Sequence, residues 1–593
     1  MSQKPKFENL VALFEQSTDK YGPRELFGTK VGDAWVWTTY TQARKLVDDF
    51  RGGLASLGVG RGDRVAIVSN NRVEWAVAAY ATYGLGASFV PMYESQLSSE
   101  WEFILRDCEA KVVIGSTPEI VEKLRSFMGE NLPKLTHVIS LAGAENEPTS
   151  YKALLRKGAE SPVPSIQPDA SETACLVYTS GTTGSPKGVI LSHGNIASNI
   201  SAVHDLFPFS DNDRTLSFLP WAHSFGHTCE LHAMLSMGAS LGIAESVEKI
   251  VDNLGEVKPT ILFSVPRIFN RIYNGVQKQM AEKPAPIRSL FYSGLRAAAK
   301  KRDGQALGML ESMALGLADK LVFTKIRARF GGRLKYAISG AAALSKDVAE
   351  FVDGLGIMVY EGYGLTETSP IATANFPGNR KIGSVGKPIP GVRIVIDKTA
   401  TEDEKNGEIV IYGPNVMQGY HNRPDENAAV FTQDGGFRSG DMGYLDDDGY
   451  LFITGRIKEQ YKLENGKYVV PTQLEEAIKL SPFVANVMVH GANKPYNVAI
   501  IVPDMASLRQ WAKTQGIEGS DEHLVSHDKV RALFEQELEK YSGEFKGFEK
   551  VKRFVLVTED FTQANGMLTP SLKLKRRNVL KRWGQDLDGL YTN

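Results

Sequence analysis

Tyr178-Thr179-Ser180-Gly181-Thr182-Thr183-Gly184-Ser185-Pro186-Lys187-Gly188 is the stretch on which the reading of the fold turns. Apolar runs flank it, Ala174 to Val177 before and Val189 to Leu191 after, so the local expectation is two strands joined by a loop. Three glycines, a series of hydroxyl side chains and one lysine let backbone N–H groups close on an anion that hydroxyls and an ammonium then neutralise. That composition suits a polyphosphate. The phosphate loop of nucleotide-hydrolysing folds is excluded, because there Gly-Lys runs into Ser or Thr, whereas Pro186 precedes Lys187 and Gly188 follows it. A plain glycine-rich turn is the competing reading of the same composition.

Outward from this loop the chain alternates in type. Val65 to Val68 reads as strand, Val73 to Tyr83 as helix, Ser88 to Met92 as strand, Ser99 to Asp107 as helix and Lys111 to Ile114 as strand. Strands and helices at this pitch make parallel βαβ units, whose chemistry belongs on the loops at the carboxyl ends of the strands. At 593 residues there is material for three or four structural units. The 68 Lys and Arg against 69 Asp and Glu give a net charge of -1, so nothing draws the chain as a whole to nucleic acid. Cys108, Cys175 and Cys229 are odd in number and lack CxxC spacing, which argues for a reducing cytoplasm. The N-terminus Met1 to Lys6 lacks the apolar segment of a secretory signal, and the long uncharged run from Trp75 is broken by Gly84, Gly86 and Pro91, so no spanning helix is expected.

Two further patterns fail as metal or dinucleotide sites. His223, His227, Cys229 and His232 lie close together, but no HExxH pattern joins them. In Glu361-Gly362-Tyr363-Gly364-Leu365-Thr366-Glu367 the third glycine of a dinucleotide fingerprint is replaced by Glu367.

The Tyr178 to Gly188 string resembles the signature of the adenylate-forming superfamily, which includes acyl-CoA synthetases, firefly-type luciferases and adenylation domains. Four more segments resemble that family in the same order, from about Asn9 to Trp583. The resemblance implies an α/β fold: a large multi-lobed N-terminal domain of βαβ sheets, 1–456, with a helical insertion at about 271–332, and a small α+β C-terminal domain, 457–593. It implies that Thr179, Ser180, Gly181, Thr182, Thr183, Gly184 and Lys187 surround the leaving pyrophosphate of ATP. Gly340, Ala341 and Ala342 would receive adenine, with Glu361, Gly362, Tyr363 and Gly364 beside it and Tyr363 stacked on the ring. Thr366 would touch phosphate and Glu367 would hold Mg²⁺. Asp441 and Arg456 would take the ribose, Lys458 would be the hinge, and Gly466, Lys467 and Tyr468 would line a tunnel for coenzyme A. Trp221, His223, Val265 and Pro266 would line the acyl pocket, His223 at the carboxylate end.

The catalytic lysine of the family aligns with Lys573. Here the chain reads Ser571-Leu572-Lys573 where most relatives read Ser-Gly-Lys, and Gly455 and Glu459 also depart from the usual hinge pattern. Lys575 is the rival if the register slips by two. The Leu572 variant and the basic helical insertion resemble the long-chain branch, so the expected activity is ligation of a medium- or long-chain fatty acid to coenzyme A through acyl-AMP. An acyl-AMP ligase serving a carrier protein and a non-catalytic scaffold are the alternatives. Peripheral contact with the inner face of a membrane and a homodimer are both compatible with the sequence.

Overall fold

The computed structural model describes residues 5–179, 186–400, 405–569 and 571–592. The strand Thr173–Thr179 and the strand Lys187–Ser192 pair antiparallel, Thr179 opposite Lys187, so the two flanking strands form as expected. Ser180, Gly181, Thr182, Thr183 and Gly184 lie outside the described residues. Tyr178 anchors the base of this hairpin: its hydroxyl donates to Asp107 Oδ2 at 2.7 Å. A Cβ at Gly188 would stand 2.8 Å from the Tyr178 ring, which is why glycine closes the motif.

These two strands belong to a seven-stranded sheet ordered Gly419–Tyr420, Lys187–Ser192, Thr173–Thr179, Ser88–Met92, Arg64–Val68, Val112–Gly115, His137–Ser140. The last five run parallel, as the alternation of strand and helix requires. The strand Ser88–Met92 is buried at every residue and the helix Val73–Tyr83 at nine, so the uncharged run is interior. A nine-stranded sheet holds Ile261–Ser264, Tyr336–Ser339 and Val359–Gly364 side by side and parallel. A four-stranded antiparallel sheet carries Phe437–Leu445 next to Leu451–Arg456. One apolar core joins all three sheets, with Trp75, Phe89, Trp221, Phe263, Ile409 and Phe437 among its members. Beyond Arg456 a short 3-10 turn, Ile457–Glu459, leads to a three-stranded sheet with helices and its own apolar clusters. The expected α/β architecture is borne out.

Several local features bear on the site. The strand Val359–Gly364 runs on past Tyr360, because Gly362 to Gly364 pair with Ile371–Ala374. Pro266, with its fixed φ and missing N–H, opens the helix Pro266–Ala281. Within the expected helical insertion, Asp319–Phe323 winds as π-helix between Met309–Ala318 and Thr324–Ala328. Asp441, next to Gly440, lies within the strand Phe437–Leu445.

Candidate active site

Parallel strands of the nine-stranded sheet end together, and their carboxyl ends deliver Val265, Gly340 to Ala342 and, beyond Val359–Gly364, Thr366 and Glu367 to one region. Gly340 approaches the Phe225 ring so closely that a Cβ would sit 3.3 Å from it. Ala341 has φ +69, a left-handed conformation costly for a residue with a Cβ. The turn is held from beneath by Glu361, whose Oε1 accepts the Leu344 N–H at 2.9 Å. Burial pushes the Glu361 carboxyl up to about 7. Glu361, expected beside the nucleotide, uses one carboxyl oxygen to hold this turn.

Asp441 is the centre of a compact polar group. Tyr363 donates its hydroxyl to Asp441 Oδ2 at 2.7 Å, and Arg456 Nε donates to Oδ1 at 2.6 Å from the neighbouring strand. Lys573 enters from the C-terminal part of the chain, and its ammonium pKa is lowered by burial and by Arg456, with Asp441, Glu367 and Glu459 pulling the other way. As a residue Lys573 is exposed. Its turn is tight: Lys573 N–H donates to Thr569 Oγ1 at 3.0 Å, and Thr569 N–H to the Lys573 carbonyl at 2.8 Å. Leu572 has φ +61, the region that favours glycine. Lys575 points elsewhere, 3.9 Å from Glu100.

Glu367 and Lys187 meet through a residue that the sequence did not single out. Tyr420 donates its hydroxyl to Glu367 Oε1 at 2.7 Å, and the Lys187 ammonium stands 5.4 Å from the centre of its ring. Lys187 also pairs with Glu426. Tyr420 and Glu426 lie far along the chain from Lys187, so no local spacing could reveal them. Thr366 is buried and shares a 3.2 Å hydrogen bond with Ser224, another partner visible only in three dimensions. Among the described residues no group of three His, Cys, Asp or Glu side chains could hold a metal. Glu367 offers one carboxylate, which suits an ion such as Mg²⁺ that is held mostly by substrate phosphates and water.

His223 accepts the Phe225 N–H on Nδ1 at 3.2 Å. Burial first, and the charge of Lys573 second, hold its imidazole down to about 4, so it is neutral at pH 7. Trp221 is fully buried against Trp75 and Phe27, at 5.6 and 5.9 Å between ring centres. Pro266 is buried beside the partly buried Val265. Lys458 is exposed within the Ile457–Glu459 turn, and Gly466, Lys467 and Tyr468 form the tip of a hairpin in which Gly466 takes φ +82.

After His223 the backbone winds as π-helix from Phe225 to His232, and that distortion carries a buried carboxyl, Glu230. Thr215 and Ser217 hydroxyls donate to it at 3.1 and 2.6 Å, yet burial pushes it up to about 8. A carboxyl whose folded pKa lies above its ordinary 4.5 contributes its full stability below that value and loses it as pH rises through about 8. Chemical denaturation of Glu230→Gln should therefore shift in the variant's favour between about pH 5 and about pH 9. A difference from the parent that is flat across this range would show that Glu230 is not buried as the neutral acid.

Residues 14–421 match the family model described as AMP-binding enzyme, and residues 458–593 match the AMP-binding enzyme C-terminal domain. A long-chain-fatty-acid–CoA ligase of Mycobacterium bovis, FadD15, is 32% identical over 583 residues, 95% of this chain and 93% of its own. Long-chain-fatty-acid–CoA ligase 1 of Homo sapiens is 32% identical over 592 residues, 95% of this chain and 83% of its own. The adenylation domain of a carboxylate reductase from Mycobacterium chelonae superposes with a TM-score of 0.81 at 22% identity, over 99% of this chain and 91% of that one. With a family model covering most of its length and the Lys573, Asp441 and Glu367 segments in family order, the chain belongs to the AMP-binding, adenylate-forming enzymes.

Proposed function

We propose that the chain is an ATP-dependent ligase that activates a medium- or long-chain fatty acid as acyl-AMP and passes the acyl group to coenzyme A. One observation carries this reading furthest: Lys573 from the C-terminal part of the chain is in electrostatic reach of Asp441, Arg456 and Glu367. In the first step a carboxylate oxygen of the acid attacks the α-phosphorus of ATP and pyrophosphate leaves. In the second the thiol of coenzyme A attacks the acyl carbonyl and AMP leaves. No covalent bond to the protein is needed, so the work of the first step is positioning and charge neutralisation.

We assign the roles as the family resemblance implies them. Asp441, with Arg456 beside it, accepts the ribose hydroxyls. The Gly340 to Ala342 turn and Tyr363 receive adenine, Glu361 positions that turn, and the segment from Thr179 to Lys187 cradles the outer phosphates. Glu367 holds Mg²⁺, which when bound supplies charge neutralisation on the phosphates. His223, neutral, can stand next to the acyl carboxylate without drawing it away from the α-phosphate. Lys573 neutralises the oxygens on which charge gathers. We assign residues 1–456 and 457–593 as the two domains, Lys458 as the pivot between them, and the Gly466 hairpin as the wall of the thiol tunnel. A cytoplasmic setting agrees with the three buried, unpaired cysteines. Transfer to a carrier protein instead of coenzyme A has no observation in its favour.

Pyrophosphate release measured across a panel of acids from acetate to stearate, with and without coenzyme A, tests the reading. The relative kcat/KM should climb by about fourfold per methylene, corresponding to roughly 0.8 kcal/mol, until the pocket is filled. Thioester should appear only with coenzyme A present. A maximum at acetate or at an aromatic acid would remove the long-chain assignment, and acyl-AMP accumulation without any thioester would favour the carrier-dependent alternative.

A further inference from the structure

The helix Met309–Ala318 and the π-turn Asp319–Phe323 that continues it turn two apolar faces in opposite directions. Inward, Ala318, Val322 and Phe323 join a core cluster with Phe291 and Val352. The contact is tight, since a Cβ at Gly294 would stand 2.4 Å from the Ala318 Cβ, and it fixes the rotation of the helix. Outward, Met309, Leu310, Met313, Leu317 and Leu321 are 82, 81, 57, 49 and 49% exposed. At about 100° per residue the first four fall within an arc of about 100°. This is a stripe of unbranched or γ-branched side chains along one face of the helix.

Charge separates the candidate occupants. Residues 271–332 contain twelve Lys and Arg against four Asp and Glu, in a chain whose net charge is -1. Lys301, at the end of the neighbouring helix Ala285–Arg302, and Lys320 and Lys325 are exposed and pair with no carboxylate among the described residues, and Lys320 falls on the apolar arc itself. A second copy seated on this face would set one strongly basic segment against another, which an isologous interface cannot avoid. An anionic lipid surface meets both features: acyl chains take the aliphatic stripe, headgroups take the lysines, whose stems reach outward from the apolar side. Among the described residues no helix is long and apolar enough to cross a membrane, so the contact is interfacial.

We propose that residues 309–325 dock the protein on an anionic bilayer, with the Met309 to Leu321 stripe in the headgroup boundary. The proposal does not depend on the ligase reading, because its test measures partition rather than turnover. The full chain is sedimented with sucrose-loaded vesicles of phosphatidylcholine alone or mixed with phosphatidylglycerol, at low and high salt. It should bind the mixed vesicles, and less so at high salt. Combined Met309→Ser, Leu310→Ser, Met313→Ser and Leu317→Ser should cut the partition coefficient by about tenfold or more, with the thermal midpoint unchanged because these side chains are exposed. Combined Lys301→Glu, Lys320→Glu and Lys325→Glu should also weaken binding and flatten its salt dependence. Parent protein that ignores anionic vesicles, or a serine variant that partitions like the parent, overturns the proposal. So does sedimentation velocity showing a parent dimer that the four serines dissociate while vesicle binding persists, which would give the face to a second copy.

Discussion

Replacing Lys573 by alanine should slow formation of acyl-AMP from acid and ATP by about 10²- to 10³-fold, while conversion of supplied acyl-AMP with coenzyme A stays within a few-fold of the parent. The asymmetry comes from where the lysine stands. Its ammonium is in electrostatic reach of Asp441, Arg456 and Glu367, the groups assigned to ATP, and it helps to hold His223 neutral. On the alternation proposed above, the C-terminal part pivots about Lys458 for the thiol step and brings the Gly466 hairpin in, which carries Lys573 away. Lys575→Ala is the matched control: its partner is Glu100, so both half-reactions should stay within a few-fold. Rapid-quench measurement of each half-reaction separates the outcomes. Equal losses in both steps for Lys573→Ala would refute the alternating arrangement, and a crippled first step in Lys575→Ala alone would transfer the role to that residue.

The second large effect is expected at Glu367. Glu367→Gln keeps an oxygen that can accept the Tyr420 hydroxyl, so the local structure should survive. What it loses is the anionic ligand, and an amide is a poor substitute toward a small hard cation. Acyl-AMP formation should fall by about 10²-fold at limiting Mg²⁺, the scale of removing one electrostatic contact from the transition state, and recover in part as Mg²⁺ is raised. Tyr420→Phe removes one hydrogen bond but keeps the anionic ligand, so it should leave the Mg²⁺ dependence of the rate close to the parent's. Titrations of rate against Mg²⁺ distinguish these variants. An unchanged Mg²⁺ dependence in Glu367→Gln would take the metal away from this carboxylate.

The order of strands and helices could be read from the sequence because buried parallel strands are short apolar runs and glycines punctuate them, as in Arg64–Val68 and Ser88–Met92. Glycine also marked a close approach at Gly188, where a Cβ would meet the Tyr178 ring at 2.8 Å. Pairings across the chain were not. Lys187 with Glu426, Thr366 with Ser224 and Tyr363 with Asp441 join segments whose separation carries no periodic signal. The π-helix at Phe225–His232 was equally hidden, because its side chains are those of an ordinary buried helix. Leu572 shows the converse. Its departure from glycine is plain in the sequence, but only the +61° φ reveals what glycine would supply there, freedom from a left-handed cost of about 1–2 kcal/mol.

Tyr420 touches both Glu367, through its hydroxyl, and Lys187, through its ring, while Glu426 competes for the same lysine. A polyanion drawn to Lys187 must displace a carboxylate that the protein itself supplies, so its arrival exchanges one anion for another instead of adding net charge. A cation settling on Glu367 would weaken that carboxylate as the acceptor of the Tyr420 hydroxyl, whose ring centre lies 5.4 Å from the lysine. The two ligands are thus wired to a single aromatic switchboard, and thermodynamic reciprocity obliges whatever help one gives the other to be returned in equal measure.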